Sequence, residues 1–162
     1  MHKIVILLGS NQGDRKSLIS RAIHLIESQL GKCSMASSIY ETEAWGFKSD
    51  YSFLNQVVNF KTQRSPLEIL QITQGIEKQL GRIRNSDIYE SRTMDIDLLF
   101  YDSQIIKENN LEIPHPRLHM RRFTLEPLAE IMPEFVHPSF KKTIQELLNS
   151  CEDKLNLKKL NN

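Results

Sequence analysis

The chain has 162 residues, with 21 Lys and Arg against 20 Asp and Glu and a formal net charge of +1. That length suits one domain, 1–162, able to bury a core without covalent staples, and the near-neutral balance excludes a bulk electrostatic attraction to nucleic acid or membrane. Cys33 and Cys151 are too few and too widely spaced for a disulfide framework or a zinc site.

The N-terminal "KIVILL" reads as a buried strand; it is too short for a signal h-region, and no later apolar run could span a bilayer, so a cytoplasmic protein is expected. It runs into "GSNQGD", where two glycines and Asn11 suggest a turn and Asp14 can cap a helix. That helix carries Leu18, Ile19, Ala22, Ile23, Leu25, Ile26 and Leu30 at helical spacing and stops at Gly31. A strand near Met35 to Glu41 and a longer one near Phe53 to Gln63 follow. "SPLE" then starts a helix, with Ser65 as cap, Pro66 at the first helical position and Glu68 closing a capping box; it ends at Gly81. After a polar loop comes the strand "TMDIDLLFY". A Pro-rich segment, a short "EPLAEI" helix and a C-terminal helix near Thr143 to Lys154 complete the chain. The order strand, helix, strand, strand, helix, strand predicts an α+β fold with a ferredoxin-like βαββαβ core, a mainly antiparallel sheet with helices on both sides.

"TMDIDLLFY" places two aspartates in an otherwise apolar strand. Strict alternation puts Met94, Ile96, Leu98 and Phe100 on one face, and Thr93, Asp95, Asp97, Leu99 and Tyr101 on the other. Both carboxylates then point the same way, spaced to converge on one cation or a pair; a solvated polar face is the plain alternative. The "GSNQGDRKS" turn lacks Walker A spacing, since only three residues separate Gly9 from Gly13 and Asp14 follows. "GRIRNSDIYESR" brings Arg82, Arg84 and Arg92 close in sequence, which suits a polyphosphate shared between guanidinium forks and metal, or else a loop paired with Asp87 and Glu90. Gln74 and Glu77 lie three apart on the preceding helix, and Gly75 there suggests close packing by a neighbour. "PHPRLHMRRF" adds His115, Arg117, His119, Arg121, Arg122 and Phe123 to a loop stiffened by Pro114 and Pro116.

"GSN" after the first strand, "FLNQVV", Gln74 and Glu77 ahead of "GRIR", "RTMDIDLL" and "IPHPRLHMRRF" resemble, in order and spacing, the 6-hydroxymethyl-7,8-dihydropterin pyrophosphokinase family over about Ile4 to Phe135. The resemblance implies transfer of pyrophosphate from ATP to the hydroxymethyl group of a reduced pterin, giving AMP, in folate biosynthesis. It implies Asp95 and Asp97 as ligands of two Mg²⁺ ions, and Arg82 and Arg92 as the arginines that close over the reacting phosphates. Gln74, Glu77, Arg84, Leu98, Leu111, Glu112, His115 and Arg121 match its ATP positions. Thr42, Glu43, Ala44, Trp45, Phe53, Asn55 and Phe123 match its pterin positions, the two Phe rings sandwiching the heterocycle and Asn55 supplying an amide edge. A monomer acting on small molecules is expected, without nucleic acid or membrane partners.

The chain departs from the family in Tyr89-Glu90-Ser91, where Trp-Gly-Pro is usual, in Asn85 where Lys is frequent, and in Thr42-Glu43-Ala44 where Thr-Pro-Pro is frequent. Two rivals share some features. An RNA-binding ferredoxin-like module would need an aromatic run on its central strands that is absent here. Another metal-dependent phosphotransferase would share the aspartates and arginines without needing Phe53, Asn55 and Phe123.

Overall fold

In the computed structural model, residues 1–43, 51–81 and 93–161 are described. The strands β1 (His2–Ser10), β2 (Cys33–Ala36), β3 (Tyr40–Thr42), β4 (Phe53–Thr62) and β5 (Asp95–Tyr101) alternate with helices α1 (Arg15–Leu30) and α2 (Pro66–Gln79). They form one sheet in the order β5-β1-β4-β3, with β2 also on β4 and every pairing antiparallel. With β2 and β3 counted as one interrupted strand, this is the ferredoxin-like order expected from the sequence.

Local chemistry sets the element ends. Asp14 caps α1 by accepting the Ser17 N–H, and Gly31 closes it in a positive-φ conformation. Ser65 and Glu68 form the capping box at the start of α2, with Pro66 in the first turn. The single strand expected near Met35 to Glu41 is two, because Ser37 breaks the run. Its Oγ accepts the Val57 N–H that a continuous ladder would have paired with backbone, and its carbonyl accepts from Gln56 Nε2.

Each face of the sheet builds its own core. Ile4, Ile6, Leu8, Leu54, Val58, Phe60, Ile96 and Leu98 pack under α1 and α2. Val5, Leu7, Val57, Leu99 and Phe100 pack under α3 (Arg122–Ile131) and α4 (Ile144–Asn149). The near-continuous apolar run of β1 follows from burial on both faces.

Strict alternation fails in β5. Val5 pairs with Phe100 but Ile6 pairs with Leu98, so Leu99 is an extra residue. This bulge sends Phe100 to the α3 face with Leu99, and Tyr101 to the α1 face, reversing the expected sides of Phe100 and Tyr101. Asp95 and Asp97 precede the bulge and keep the shared face that alternation assigned them.

Three small strands escaped the sequence reading. β6 (Ile106–Glu108) and β7 (Leu111–Ile113) form a hairpin, and β8 (Leu157–Lys159) adds to the β3 edge. The expected C-terminal helix is shorter, ending at Asn149 where the Ser150 hydroxyl bonds back to the Glu146 carbonyl and the chain turns toward β8. The "EPLAEI" helix begins four residues earlier, at Arg122, and tolerates Pro127 in its second turn.

His137 is buried beneath α4, its ring 5.7 Å from Phe100 and 4.5 Å from Phe140. Its Nδ1 accepts the backbone N–H groups of Ser139 and Phe140 at 3.1 and 3.2 Å. Burial, aided by His119, pushes its pKa from 6.5 down to about 4. The unfolded chain therefore binds the extra proton first, and stability falls as pH drops from about 6.5 to about 4, by on the order of 1–2 kcal/mol after screening. Urea denaturation at pH 7.5 and pH 5 checks this: His137→Gln should show a smaller loss between the two than the parent chain. Equal losses would refute the assignment.

Candidate active site

The α3 face of the sheet changes character along its length, in cross-strand rows set by register. Asn59, Val5 and Phe100 lie abreast on β4, β1 and β5; then Val57, Leu7 and Asp97; then Asn55, Gly9 and Asp95. The first row is covered by α3 and α4, whereas at the third the apolar side chains give way to an amide, a glycine and a carboxylate. Asp95 and Asp97 are half-buried there, about 6.6 Å apart along the strand.

Gly9 belongs to β1, paired on both sides, and not to the turn that its sequence context suggested; Gly13, at φ +70°, serves the turn. A Cβ at Gly9 would stand 3.0 Å from Asn55 Oδ1 and 3.9 Å from the Phe53 ring. The missing side chain therefore leaves a bare floor between Asn55 and Asp95. Asn55 is 3% exposed, and its Nδ2 is buried without a hydrogen-bond partner. A buried amide donor left unsatisfied costs about 1–3 kcal/mol, and among the described residues no acceptor meets this one. Phe53 is half-exposed two residues before it. Phe123, also half-exposed, stands in the first turn of α3 with the Arg121 guanidinium 5.6 Å from its ring centre.

Other members of "GSN" hold the strand ends. Ser10, fully buried, donates its hydroxyl to the Thr93 carbonyl and so fixes the chain entering β5. From the opposite face Glu77, 1% exposed, accepts the Ile96 N–H at 2.8 Å, anchoring the residue between the two aspartates to α2.

His115 is held at the bulge, where its backbone N–H donates to the Leu99 carbonyl at 3.0 Å. Nδ1 accepts the Arg117 N–H at 3.2 Å, which leaves the proton on Nε2. Burial and the Arg121 charge push its pKa down to about 4, against an opposing pull from Asp95, so at neutral pH it is an uncharged donor. Arg121, 7% exposed, precedes the first residue of α3 without a capping side-chain bond.

The remaining expected positions separate. Gln74 is exposed while Glu77, one turn on, is buried, so the boundary of the core runs between them. Among the described residues an added Cβ at Gly75 would meet nothing within 4 Å, so no described part of the protein packs closely there; the glycine lies on the outer side of α2. Leu98 and Leu111 are core residues under α2, and Glu112 is exposed on β7. Thr42 is buried, with its hydroxyl donating to the Asn156 carbonyl and with Phe53 and Leu157 as its partners on either side in the sheet; Glu43 is exposed. Arg82, Arg84, Arg92, Ala44 and Trp45 lie outside the described residues. Among the described residues no group of three or more His, Cys, Asp or Glu could hold a metal, and Asp95 and Asp97 are the two carboxylates that share this face. Mg²⁺ in nucleotide sites binds through one or two carboxylates, substrate phosphates and water, and the shared face of Asp95 and Asp97 fits it.

The sequence profile of the 7,8-dihydro-6-hydroxymethylpterin-pyrophosphokinase family matches residues 5–133. The chain belongs to this family. Curated relatives named 2-amino-4-hydroxy-6-hydroxymethyldihydropteridine pyrophosphokinase include that of Porphyromonas gingivalis, 41% identical over 83% of this chain and 93% of its own. The Aquifex aeolicus relative is 39% identical over 90% of both chains, and that of Bacillus subtilis 42% over 78% and 75%. Among solved structures, a bifunctional HPPK-DHPS in complex with substrates superposes with a TM-score of 0.74 at 19% identity, over 92% of this chain and 43% of that one. Wild-type Plasmodium falciparum HPPK-DHPS with pteroate gives 0.74 at 21% identity, over 91% and 42%. This chain thus spans less than half of those two-part proteins, and the likeness supports the fold of the family domain.

Gly9 and Ser10 escaped the sequence reading as site residues, although a glycine within a strand pattern is a signal of close approach by a ligand. Replacing Gly9 by Ala should displace the Asn55 amide and raise the KM for the pterin about 2- to 10-fold, the value of a neutral hydrogen bond of about 0.5–1.5 kcal/mol. Steady-state rates with each substrate varied in turn check this; an unchanged pterin KM would contradict the bare-floor argument.

Proposed function

We propose a division of labour among these residues within the family's reaction, in which pyrophosphate passes from ATP to the hydroxymethyl group of 6-hydroxymethyl-7,8-dihydropterin in folate biosynthesis. The observation that carries it is the row Asn55–Gly9–Asp95: an orphaned amide donor and an acidic site, separated only by a residue without a side chain.

The pterin lies over Gly9 with its ring between Phe53 and Phe123, its amide-like edge to Asn55 and to the segment of Thr42, Glu43, Ala44 and Trp45. Its hydroxymethyl arm then points along the row toward Asp95. Two Mg²⁺ ions held by Asp95 and Asp97 would supply neutralising charge to the triphosphate and the attacking oxygen. His115 donates from Nε2 to a phosphate oxygen, and Arg121 adds fixed positive charge beside it. Arg82, Arg84 and Arg92 take the outer phosphates; Gln74 and Glu112, which are exposed, border the adenosine side, and the buried Glu77, Leu98 and Leu111 support it from beneath. The pterin hydroxyl oxygen bonds to the β-phosphorus and gives up its proton to solvent, the bond from that phosphorus to the oxygen bridging the α- and β-phosphates breaks, and AMP leaves carrying that oxygen. Catalysis rests on positioning and electrostatics, as in other phosphoryl transfers. Residues 1–162 act as one pyrophosphokinase domain, a cytoplasmic monomer whose site draws on a single chain and whose substrates are small soluble molecules.

Incubation with MgATP and the pterin, followed by ion-exchange separation of nucleotides, should give pterin-dependent AMP. ADP, or hydrolysis indifferent to pterin, would overturn the proposal and favour an ordinary phosphotransferase.

Asp97→Ala should lower kcat at least about 100-fold while leaving the fold largely intact by thermal denaturation, because a half-buried carboxylate beside another like charge carries little of the core's stability. Near-normal turnover in that variant would remove Asp97 from the metal site.

A further inference from the structure

Arg15 begins α1 and is seated by the helix itself, whose Leu18, Ile19, Ala22 and Ile26 are locked into the core. From that anchor its Nη1 reaches three acceptors: Glu41 Oε2 at 3.0 Å, the Ser52 carbonyl at 2.9 Å and Ser52 Oγ at 2.9 Å. The ring closes on itself, since the Ser52 hydroxyl donates to Glu41 Oε2 at 3.0 Å. Glu41 and Ser52 belong to different elements: Glu41 is in β3, and Ser52 immediately precedes β4. Each is the chain neighbour of a pterin-side residue, Glu41 of Thr42 and Ser52 of Phe53, and Thr42 and Phe53 face one another in the β3–β4 register.

We infer that Arg15 is a positioning residue for the pterin slot, setting the spacing and orientation of Thr42 and Phe53 by tying Glu41 to Ser52. The inference rests on the pyrophosphokinase reading of the site and adds to it a residue that touches neither substrate. An isolated Arg–Glu pair at this partial exposure would contribute little. Here one guanidinium nitrogen spans two strand ends and a backbone carbonyl, so its loss frees a joint and not merely a surface pair. Burial would raise the Glu41 carboxyl, but its hydrogen bonds with Ser52 and Arg15 outweigh that and hold it below the usual range, consistent with a charged member of the ring. The chemistry also explains a preference for Arg over Lys. A guanidinium nitrogen carries two fixed N–H bonds that can address carboxylate and carbonyl together, whereas an ammonium on a flexible stem does not hold that fork.

The test is a set of four proteins, the parent, Arg15→Ala, Glu41→Ala and the double variant, with Arg15→Lys as the conservative comparison. Initial rates are measured with pterin varied at saturating MgATP and with ATP varied at saturating pterin, alongside equilibrium binding of a fluorescent pterin analogue and thermal midpoints. Arg15→Ala should raise the pterin KM and the analogue Kd about tenfold, with kcat and the ATP KM within about twofold. The double variant should be no worse than either single one, because both remove the same joint, and Arg15→Lys should recover only part of the loss. An unchanged pterin KM, a parallel decline of kcat and both KM values, or additive losses in the double variant would overturn the inference. Absence of pterin-dependent AMP in the parent would instead overturn the functional reading beneath it.

Discussion

β1 is held between β4 and β5 in a register that admits no slip, and the site exists because of it. Shifting either partner by one residue would exchange the faces of every side chain it carries, burying Asp95 and Asp97 under α1 and α2. Paired as they are, the strands bring Asn55, Gly9 and Asp95 abreast at the end of a face whose other end is sealed by Phe100, Leu125 and Leu128. The same face is therefore core at one end and reaction surface at the other. The Leu99 bulge lets β5 serve both, restoring apolar packing after the aspartates and presenting the carbonyl that holds His115.

The two proposed substrate regions differ in charge. On the β4 side stand an uncharged amide and two half-exposed rings, suited to a flat neutral heterocycle. On the β5 side stand two carboxylates, a neutral imidazole kept from protonation by burial and by Arg121, and the buried Arg121 itself. Helix α3 joins them. Its first turn carries Phe123, and Glu130 near its other end accepts the Ser38 N–H and hydroxyl at 2.9 Å and the Tyr40 hydroxyl at 2.6 Å. The ring-bearing helix is thereby strapped to the strand that carries Thr42, while Arg15 secures the same strand from the opposite side of the sheet.

Much of this was legible in the sequence. The helix caps at Asp14 and Ser65 and the β1 run declare themselves by local chemistry, and the two aspartates share a face by simple alternation. What escaped depended on contacts between distant segments. Leu99 gives no local sign of a bulge, because apolar residues suit both faces there. Ser37 interrupts a strand only by virtue of Val57, and β8 forms only because β3 leaves an edge open to it. Gly9 stood in a glycine-rich run and read as turn; its role appears once Asn55 and Asp95 are known to flank it. Gly75 misled in the other direction, as a helical glycine that no described residue approaches closely.

The central claim is that the Asn55–Gly9–Asp95 row is the line along which the two substrates meet. A crystal structure with Mg²⁺, a nonhydrolysable ATP analogue and 6-hydroxymethyl-7,8-dihydropterin tests it most directly. The account predicts the pterin ring stacked over Gly9 between Phe53 and Phe123, its acceptor edge on Asn55 Nδ2, and its hydroxymethyl oxygen directed at a β-phosphorus whose metal ions rest on Asp95 and Asp97. A pterin bound elsewhere, or one over Gly9 with its hydroxymethyl group turned away from Asp95, would contradict it.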